Sequence, residues 1–134
     1  MEVKTVAVDT CVLIDAVHGD MSFRRILAAA DRILVSPVVY SEFMSGFDDT
    51  RRGRAAKEAF QTFLSLDYVE IPLIGKETGD YHSMLFQYLK GKGMPIPQND
   101  IWIAASALEH GACLLTTDTH FKDIPTLRTE YPPQ

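Results

Sequence analysis

Four acidic side chains stand where apolar segments of the chain begin, end or turn, and together they could support metal-ion chemistry. Asp9 and Asp118 each follow an apolar segment, Asp100 opens one, and Glu42 lies within one. Carboxylates about 4 Å apart repel by roughly 4 kcal/mol per pair at an effective dielectric constant of about 20, so a cluster needs a cation, shared protons or another compensation. A bound divalent cation is the simplest solution.

The type of donor atom limits which metal ions could bind and which reaction they could support. Carboxylate oxygens without a histidine or cysteine cluster suit Mg²⁺ or Mn²⁺, and not zinc or copper. Such sites hold one or two metal ions against a phosphate, activate water and stabilise a leaving oxygen. The sequence contains no Gly-rich phosphate loop and no Gly-x-Ser-x-Gly elbow, which argues against nucleoside-triphosphate and acyl-transfer chemistry. Phosphodiester hydrolysis is therefore the leading reaction.

Each of the four acids also has an ordinary structural explanation. Asp9 and Asp118 could cap the helical turns that follow them. Asp100, near a helix N-terminus, would gain about 0.3 to 1 kcal/mol from the helix dipole without any function. Glu42 lies on an otherwise apolar turn, where a long acid is often a boundary residue. The metal interpretation therefore depends on all four acids meeting in space.

Apolar periodicity predicts an α/β fold with a central, mostly parallel sheet and helices on both faces. The predicted strands are 5–8, 33–35, 69–72, 112–117 and, as an edge strand, 126–130. The first predicted helices are a short helical turn after Asp9, a helix with one apolar face over 23–30, and a helix that is capped by Ser36 and ends near Gly46. Amphipathic helices are predicted within 50–67 and 81–89. The last predicted helix is apolar and runs from a cap at Asn99 or a neighbour to about His110. Asp9 and Asp118 would stand at the carboxyl ends of strands, where parallel sheets place their functional groups.

Size and composition are those of one globular domain. The chain has 134 residues, 46% of them hydrophobic and 23% charged. It contains no apolar run of about 20 residues and no signal-peptide pattern at its start, so we expect a cytoplasmic protein. Cys11 and Cys113 lack partners at metal-ligand spacing, which favours buried free thiols.

The charge distribution bears on nucleic-acid binding. A net charge of −5 argues against a protein that coats nucleic acid indiscriminately. The dense basic cluster formed by Arg51, Arg52, Arg54 and Lys57 could contact RNA, or it could be the solvated start of an amphipathic helix. The sequence leaves both interpretations open.

Four short motifs carry a family resemblance, in order and spacing, over nearly the whole chain. They are Val8-Asp9-Thr10-Cys11-Val12-Leu13-Ile14-Asp15, Ser41-Glu42-Phe43, Asn99-Asp100-Ile101-Trp102-Ile103-Ala104-Ala105 and Leu115-Thr116-Thr117-Asp118-Thr119-His120-Phe121. The combination resembles PIN-domain ribonucleases, and most of all the VapC toxins of bacterial toxin-antitoxin pairs. The resemblance implies a single PIN-like domain over residues 1–134, folded as a three-layer α/β/α sandwich.

The resemblance also implies residue roles for a Mg²⁺- or Mn²⁺-dependent endoribonuclease. Asp9 and Asp100 would be the principal metal ligands, and Glu42 and Asp118 would bind a second metal or orient the attacking water. The supporting residues would be Thr10, Asn99, Thr116, Thr117 and His120. The family usually has Asn or Ser where this chain has Cys11, which puts one hydrogen bond near the site in doubt.

The partners implied by the resemblance are a structured RNA substrate, tRNA or rRNA, and a cognate antitoxin. The tail of the antitoxin would lie in a groove beside the metals, lined by apolar residues between Val38 and Phe63. A homodimer or a heteromeric toxin-antitoxin complex is expected. Two alternatives remain: an RNA-processing or DNA-structure nuclease without an antitoxin, and a PIN-like binding module that has lost catalysis.

Overall fold

The computed structural model describes residues 4–132, and they form a five-stranded, wholly parallel sheet with the strand order β3-β2-β1-β4-β5. The strands are β1 (Thr5–Val8), β2 (Arg32–Leu34), β3 (Val69–Glu70), β4 (Cys113–Leu115) and β5 (Thr129–Glu130). The helices are α1 (Thr10–Val17), α2 (Arg24–Ala29), α3 (Pro37–Ser45), α4 (Arg51–Leu64), α5 (Lys76–Gly91) and α6 (Gln98–Glu109), and a 3₁₀ turn covers Thr119–Asp123. The predicted parallel sheet is confirmed. Within the described range, no helix has the length and apolar character needed to span a membrane.

Local signals account for several element ends. The Ser36 side chain accepts a hydrogen bond from the backbone N–H of Val38 at 3.1 Å, so α3 starts at Pro37 as predicted. Gly46 ends the same helix, also as predicted.

The start of α6 differs from one of the expected alternatives. Pro97 occupies the N-cap position of α6, and no side chain caps the helix. The fixed φ of proline sets the entry of the chain into the helix. Asn99 is the second residue of α6, and its side chain is directed to Glu42. Of the two alternatives, a cap at Asn99 or at a neighbour, the structure has the neighbour, Pro97.

The core lies between the central strands and α6. Val8, Leu34 and Leu115 are at most 1% exposed, and the alanines of α6 at positions 104, 105 and 107 are fully buried. The predicted insertion of this helix into the core is confirmed. Burying an aliphatic side chain contributes about 1.5–3 kcal/mol to the free energy of unfolding. The packing of α6 therefore fixes the position of Asp100, which lies on its first turn.

The predicted edge strand begins later than expected because of a turn at Thr126. Thr126 follows Pro125 and has φ = +69°, in the left-handed region that favours glycine. A left-handed conformation costs a residue with a Cβ about 1–2 kcal/mol.

We expect Thr126→Gly to raise the free energy of unfolding by about 0.5–1 kcal/mol. The strain energy that the substitution removes from the folded state exceeds the free energy lost because glycine gives the unfolded chain more conformational entropy. Urea unfolding measures the change. Thr62→Gly, at an exposed position inside α4, is the matched control and should lower the free energy of unfolding by about 0.3 kcal/mol. A loss of stability in both variants would contradict the strain at Thr126.

A carboxylate pocket at the carboxyl edge of the sheet

The four acids singled out by the sequence line one surface pocket. Asp9 follows β1, Asp118 follows β4, Glu42 lies on α3, and Asp100 lies on the first turn of α6. The remaining lining residues of this pocket are Thr10, Cys11, Thr117 and Thr119. Elements far apart in sequence thus bring the predicted quartet together.

Asp9 is held by three donors. Its carboxylate accepts hydrogen bonds from the Thr10 backbone N–H at 2.8 Å, the Thr116 hydroxyl at 2.7 Å and the Cys11 thiol at 3.4 Å. Asp9 is therefore the N-cap of α1 and a pocket residue at once, so the two interpretations offered by the sequence are compatible. A carboxylate has about four lone-pair sites, which leaves acceptor capacity for a cation.

Cys11 takes part in this arrangement despite its departure from the family pattern. Burial raises the pKa of the Cys11 thiol, and the nearby Asp9 charge acts in the same direction, while a hydrogen bond with Thr117 opposes them. The protonated thiol can therefore donate to Asp9 at neutral pH. The hydrogen bond that the sequence put in doubt has a sulfur donor in this chain.

Thr116 connects two of the acids. Thr116 is fully buried, and its hydroxyl donates to Asp9 Oδ2. The hydroxyl oxygen of Thr116 also accepts a hydrogen bond from the backbone N–H of Asp118 at 3.0 Å. One side chain thus fixes the orientation of the Asp9 carboxylate relative to the backbone that carries Asp118.

Thr116→Val keeps the side-chain shape but removes this hydroxyl. We expect it to weaken metal binding about tenfold to a hundredfold, as is typical when a group that orients a metal ligand is lost. The free energy of unfolding should fall by about 1–3 kcal/mol because Asp118 N–H is left without its partner. Titration calorimetry with Mn²⁺ and urea unfolding measure the two effects. Thr117→Val, at the exposed neighbouring position, is the control, and an equal loss of metal affinity in it would refute the special role of Thr116.

Glu42 is held from two sides. The Thr10 hydroxyl donates to Glu42 Oε1 at 2.6 Å, and the Asn99 amide lies 3.4 Å from Glu42 Oε2, which is a long hydrogen bond. Two of the predicted supporting residues, Thr10 and Asn99, therefore contact the acid that the sequence supported least. Glu42 sits where α1, α3 and α6 meet.

His120 bridges the other two acids. Its Nε2 lies 2.8 Å from Asp100 Oδ2, and its Nδ1 lies 2.9 Å from Asp118 Oδ1. Asp118 Oδ1 also accepts the backbone N–H of His120, so Asp118 caps the 3₁₀ turn. One ligand atom from each of Asp100, Asp118 and His120 can be chosen so that all three lie within 4.8 Å of one another.

The electrostatics at Asp100 reflect this crowding. Burial raises the pKa of the Asp100 carboxyl, the charges of Asp9 and Asp118 raise it further, and the hydrogen bond from His120 lowers it. The folded protein therefore disfavours the charged form of Asp100. A divalent cation would reverse this preference, and carboxylate oxygens around an open pocket are the donors that Mg²⁺ and Mn²⁺ take.

Tyr131 is a site residue that the sequence did not indicate. Its hydroxyl donates to the backbone carbonyl of Asp118 at 2.9 Å. A tyrosine 13 residues further along the chain carries no local signal of such a contact.

The predicted basic cluster is not part of the pocket lining in the described structure. The Arg54 guanidinium donates to the Asp49 carbonyl at 2.9 Å, and Lys57 Nζ lies 3.8 Å from the Asp49 carboxylate. Arg51 lies exposed at the start of α4, and Arg52 lies at an apolar groove elsewhere. These positions fit a solvated helix start, and contact with RNA stays a prediction.

The apolar groove at Arg52 has a volume of about 450 Å³. The residues that line it include four phenylalanines from the predicted range between Val38 and Phe63, namely Phe43, Phe47, Phe60 and Phe63. A second wall comes from α1, which was not anticipated, and includes Val12, Leu13, Ala16 and Val17. Because Asp9 caps the N-terminus of α1, this helix joins the groove to the carboxylate pocket.

Comparison with known proteins places these features in context. Residues 6–127 match the PIN domain family. Ribonuclease VapC2 of Rickettsia felis is 29% identical over 127 residues, which cover 91% of this chain and 93% of that protein. Ribonuclease VapC4 of Mycobacterium tuberculosis is 29% identical over 91 residues, covering 68% and 70% of the two chains.

The fold has a solved counterpart as well. The crystal structure of VapBC2 from Rickettsia felis, bound to a DNA fragment from its promoter, superposes with a TM-score of 0.84 at 26% identity, over 96% of this chain and 99% of that one. The predicted α/β/α class is confirmed by this agreement.

Proposed function

The chain belongs to the PIN domain family, and from that premise we propose that it is a metal-dependent endoribonuclease, the toxin of a type II toxin-antitoxin pair of the VapC kind. The observation that carries the proposal is the meeting of Asp9, Glu42, Asp100 and Asp118 in one pocket. Similarity to proteins named as VapC ribonucleases supports the reaction and the toxin class.

The residues have distinct tasks in the proposed hydrolysis. Asp9 and Asp100 would hold Mg²⁺ or Mn²⁺, and Glu42 and Asp118 would hold a second ion or orient the water. When bound, the metal supplies Lewis acidity and lowers the pKa of water. The water oxygen would form a bond to phosphorus as the water loses a proton to solvent, and the bond from phosphorus to the leaving ribose oxygen would break as that oxygen takes up a proton. Thr10 and Thr116 keep Glu42 and Asp9 in position through the hydrogen bonds described above.

The charge of the pocket couples metal binding to substrate binding. Four carboxylates in one pocket would repel an RNA phosphate, and at a net charge of −5 the chain has no general attraction for polyanions to offset that repulsion. A structured RNA, tRNA or rRNA, would therefore bind productively only with metal present. Arg51, Arg52, Arg54 and Lys57 are the candidate contacts for its backbone.

The partner that fits the groove is an antitoxin. A structure similar to this chain is a VapBC assembly, and the groove offers apolar walls with Arg52 among its lining residues. We infer that an apolar segment of the antitoxin tail fills the groove, with an acidic residue near Arg52. Homodimerisation of the toxin belongs to the same proposal.

The direct test is incubation of total bacterial RNA with the purified, antitoxin-free protein and Mg²⁺ or Mn²⁺, followed by sequencing of fragment ends. A chelator and Asp9→Asn are the controls. Asparagine can still cap α1, so the variant should fold. We expect discrete cuts that vanish in both controls. Intact RNA, with the protein shown to be folded and metal-bound, would overturn the proposal in favour of a binding module or a DNA-structure substrate.

A further inference from the structure

His120 is the one histidine of the chain whose ring contacts the pocket acids in the described structure. The ring of His82 stacks on Trp102 and bonds to Gln98, His110 lies beside Glu109, and His18 packs edge-on against Phe47. Both ring nitrogens of His120 face carboxylates instead. The pocket therefore has a nitrogen donor in addition to its oxygens.

The surroundings of His120 assign different tasks to its two nitrogens. Asp118 Oδ1 accepts from the His120 backbone N–H at 3.1 Å and lies 2.9 Å from Nδ1, so the acid holds both the backbone and the ring of the same residue. In the metal-free protein a proton on Nε2 satisfies the contact with Asp100 Oδ2, which accepts it as a hydrogen bond at 2.8 Å. A cation held by Asp100 would take the place of that proton, and the ring proton would then lie on Nδ1, 2.9 Å from Asp118 Oδ1.

We propose that His120 Nε2 is a ligand of the metal ion held by Asp100, and that Asp118 orients the ring by accepting from Nδ1. In metal sites the second nitrogen of a ligating histidine commonly donates to a carboxylate, which fixes the tautomer and the ring orientation. The inference rests on the proposed metal-dependent function and refines it, since it moves Asp118 from metal ligand to the residue that positions a ligand.

A nitrogen ligand affects the choice of metal. Mg²⁺ prefers oxygen donors and holds its waters, whereas first-row transition ions gain affinity from imidazole. The site of this chain should therefore favour Mn²⁺ over Mg²⁺ more strongly than a site made of carboxylates alone. The sequence by itself left that choice open.

A different role for His120 would give the same distances to Asp100 and Asp118 without a bond from the ring to a metal ion. His120 could bridge Asp100 and Asp118 only while no cation is bound and turn away once a metal enters. The two roles differ in the metal-bound protein, where direct ligation places a nitrogen on the ion and the bridging role does not.

Pulsed electron paramagnetic resonance of the Mn²⁺-loaded, full-length protein separates them. We expect a nitrogen hyperfine coupling typical of a bound imidazole, which changes isotope pattern when the protein is labelled with ¹⁵N-histidine. The coupling should be absent in His120→Gln and present in His82→Gln, the matched control on α5. Because the labelled native protein suffices, the test does not depend on the variant folding.

Metal titrations give the second readout. His120→Gln should bind Mn²⁺ about tenfold to a hundredfold more weakly, with a smaller loss for Mg²⁺. Bound Mn²⁺ without nitrogen coupling, and with unchanged affinity in His120→Gln, would overturn this inference and leave the nuclease proposal standing. Failure of the native protein to bind either ion would overturn both.

Discussion

Asp100→Asn is expected to lower metal-dependent RNA cleavage about a thousandfold or more. A catalytic metal supplies several kcal/mol of transition-state stabilisation, and each 1.36 kcal/mol is a factor of ten in rate. An asparagine amide keeps the shape of Asp100 and can still accept a hydrogen bond from His120, but it lacks the charge that holds a cation. The loss should therefore come from metal binding and not from unfolding. Cleavage of the RNA identified for the native protein measures it.

The same substitution should stabilise the metal-free protein at neutral pH. Burial, aided by the charges of Asp9 and Asp118, raises the pKa of the Asp100 carboxyl above its ordinary value. Such a group stabilises the fold below its ordinary pKa, and that stability is lost as the pH rises through the raised pKa. Above the ordinary pKa of an aspartate, Asp100 thus opposes folding, and asparagine removes this opposition. The melting temperature of metal-free Asp100→Asn should exceed that of the native chain, and the difference should shrink on acidification.

Metal addition completes this experiment. Mn²⁺ should raise the melting temperature of the native protein through binding to the folded state and leave that of Asp100→Asn nearly unchanged. Asp67→Asn, at an exposed loop position, is the control that should behave like the native protein. A variant that still responds to metal and still cuts RNA would remove Asp100 from the metal site.

The candidate site was largely predictable because its acids stand next to readable local signals. Asp9 and Asp118 follow the buried strands β1 and β4, and in a parallel sheet the carboxyl ends of such strands share an edge. Asp100 opens an apolar helix whose composition requires it to enter the core. Each position followed from a few neighbouring residues and one general rule of sheet architecture. Glu42 had no such support and depended on the other three.

What escaped prediction are contacts between residues remote in sequence. Thr116 and Asp9 are 107 positions apart, and Tyr131 reaches the backbone of Asp118 across a loop. The sequence offered Thr116 and Thr117 as equal candidates, because only the direction of each side chain from the strand end distinguishes the buried hydroxyl from the exposed one. Local patterns do not contain that information until the register of the sheet is known.

The ends of helices and strands also divide into those set by local sequence and those set by the rest of the fold. The N-terminus of α3 was readable from Ser36 and Pro37, a local capping signal. The start of β5 was not, because it depends on the turn at Thr126, whose positive φ is one that threonine rarely adopts. Residue types assigned the cap of α6 to Asn99 or a neighbour without deciding between them, whereas in the fold Pro97 takes this position and Asn99 is directed to Glu42 on another helix. Tertiary contacts outweighed local preference at both places.

A charge placed in the apolar groove is expected to abolish control by the antitoxin. Ala59 lies exposed on α4 and lines the groove, whose floor includes the rings of Phe43 and Phe60, 4.1 Å apart between centroids. A partner segment seated there would bury an unpaired carboxylate in Ala59→Glu, and leaving a charge buried without a partner costs about 3–5 kcal/mol. Affinity for the antitoxin should therefore fall at least about a hundredfold, since 1.4 kcal/mol is a factor of ten.

The measurement uses the cognate antitoxin, which we expect to be a small protein encoded next to this chain. Titration calorimetry gives its affinity, and protection of RNA from cleavage gives its inhibitory strength. Ala59→Glu should cut RNA as the native protein does but escape inhibition, because Ala59 does not line the carboxylate pocket. Ser83→Glu, at an exposed position on α5, adds the same charge outside the groove and should remain inhibited. If both variants are inhibited equally, the antitoxin binds a different surface, and the groove loses its proposed role.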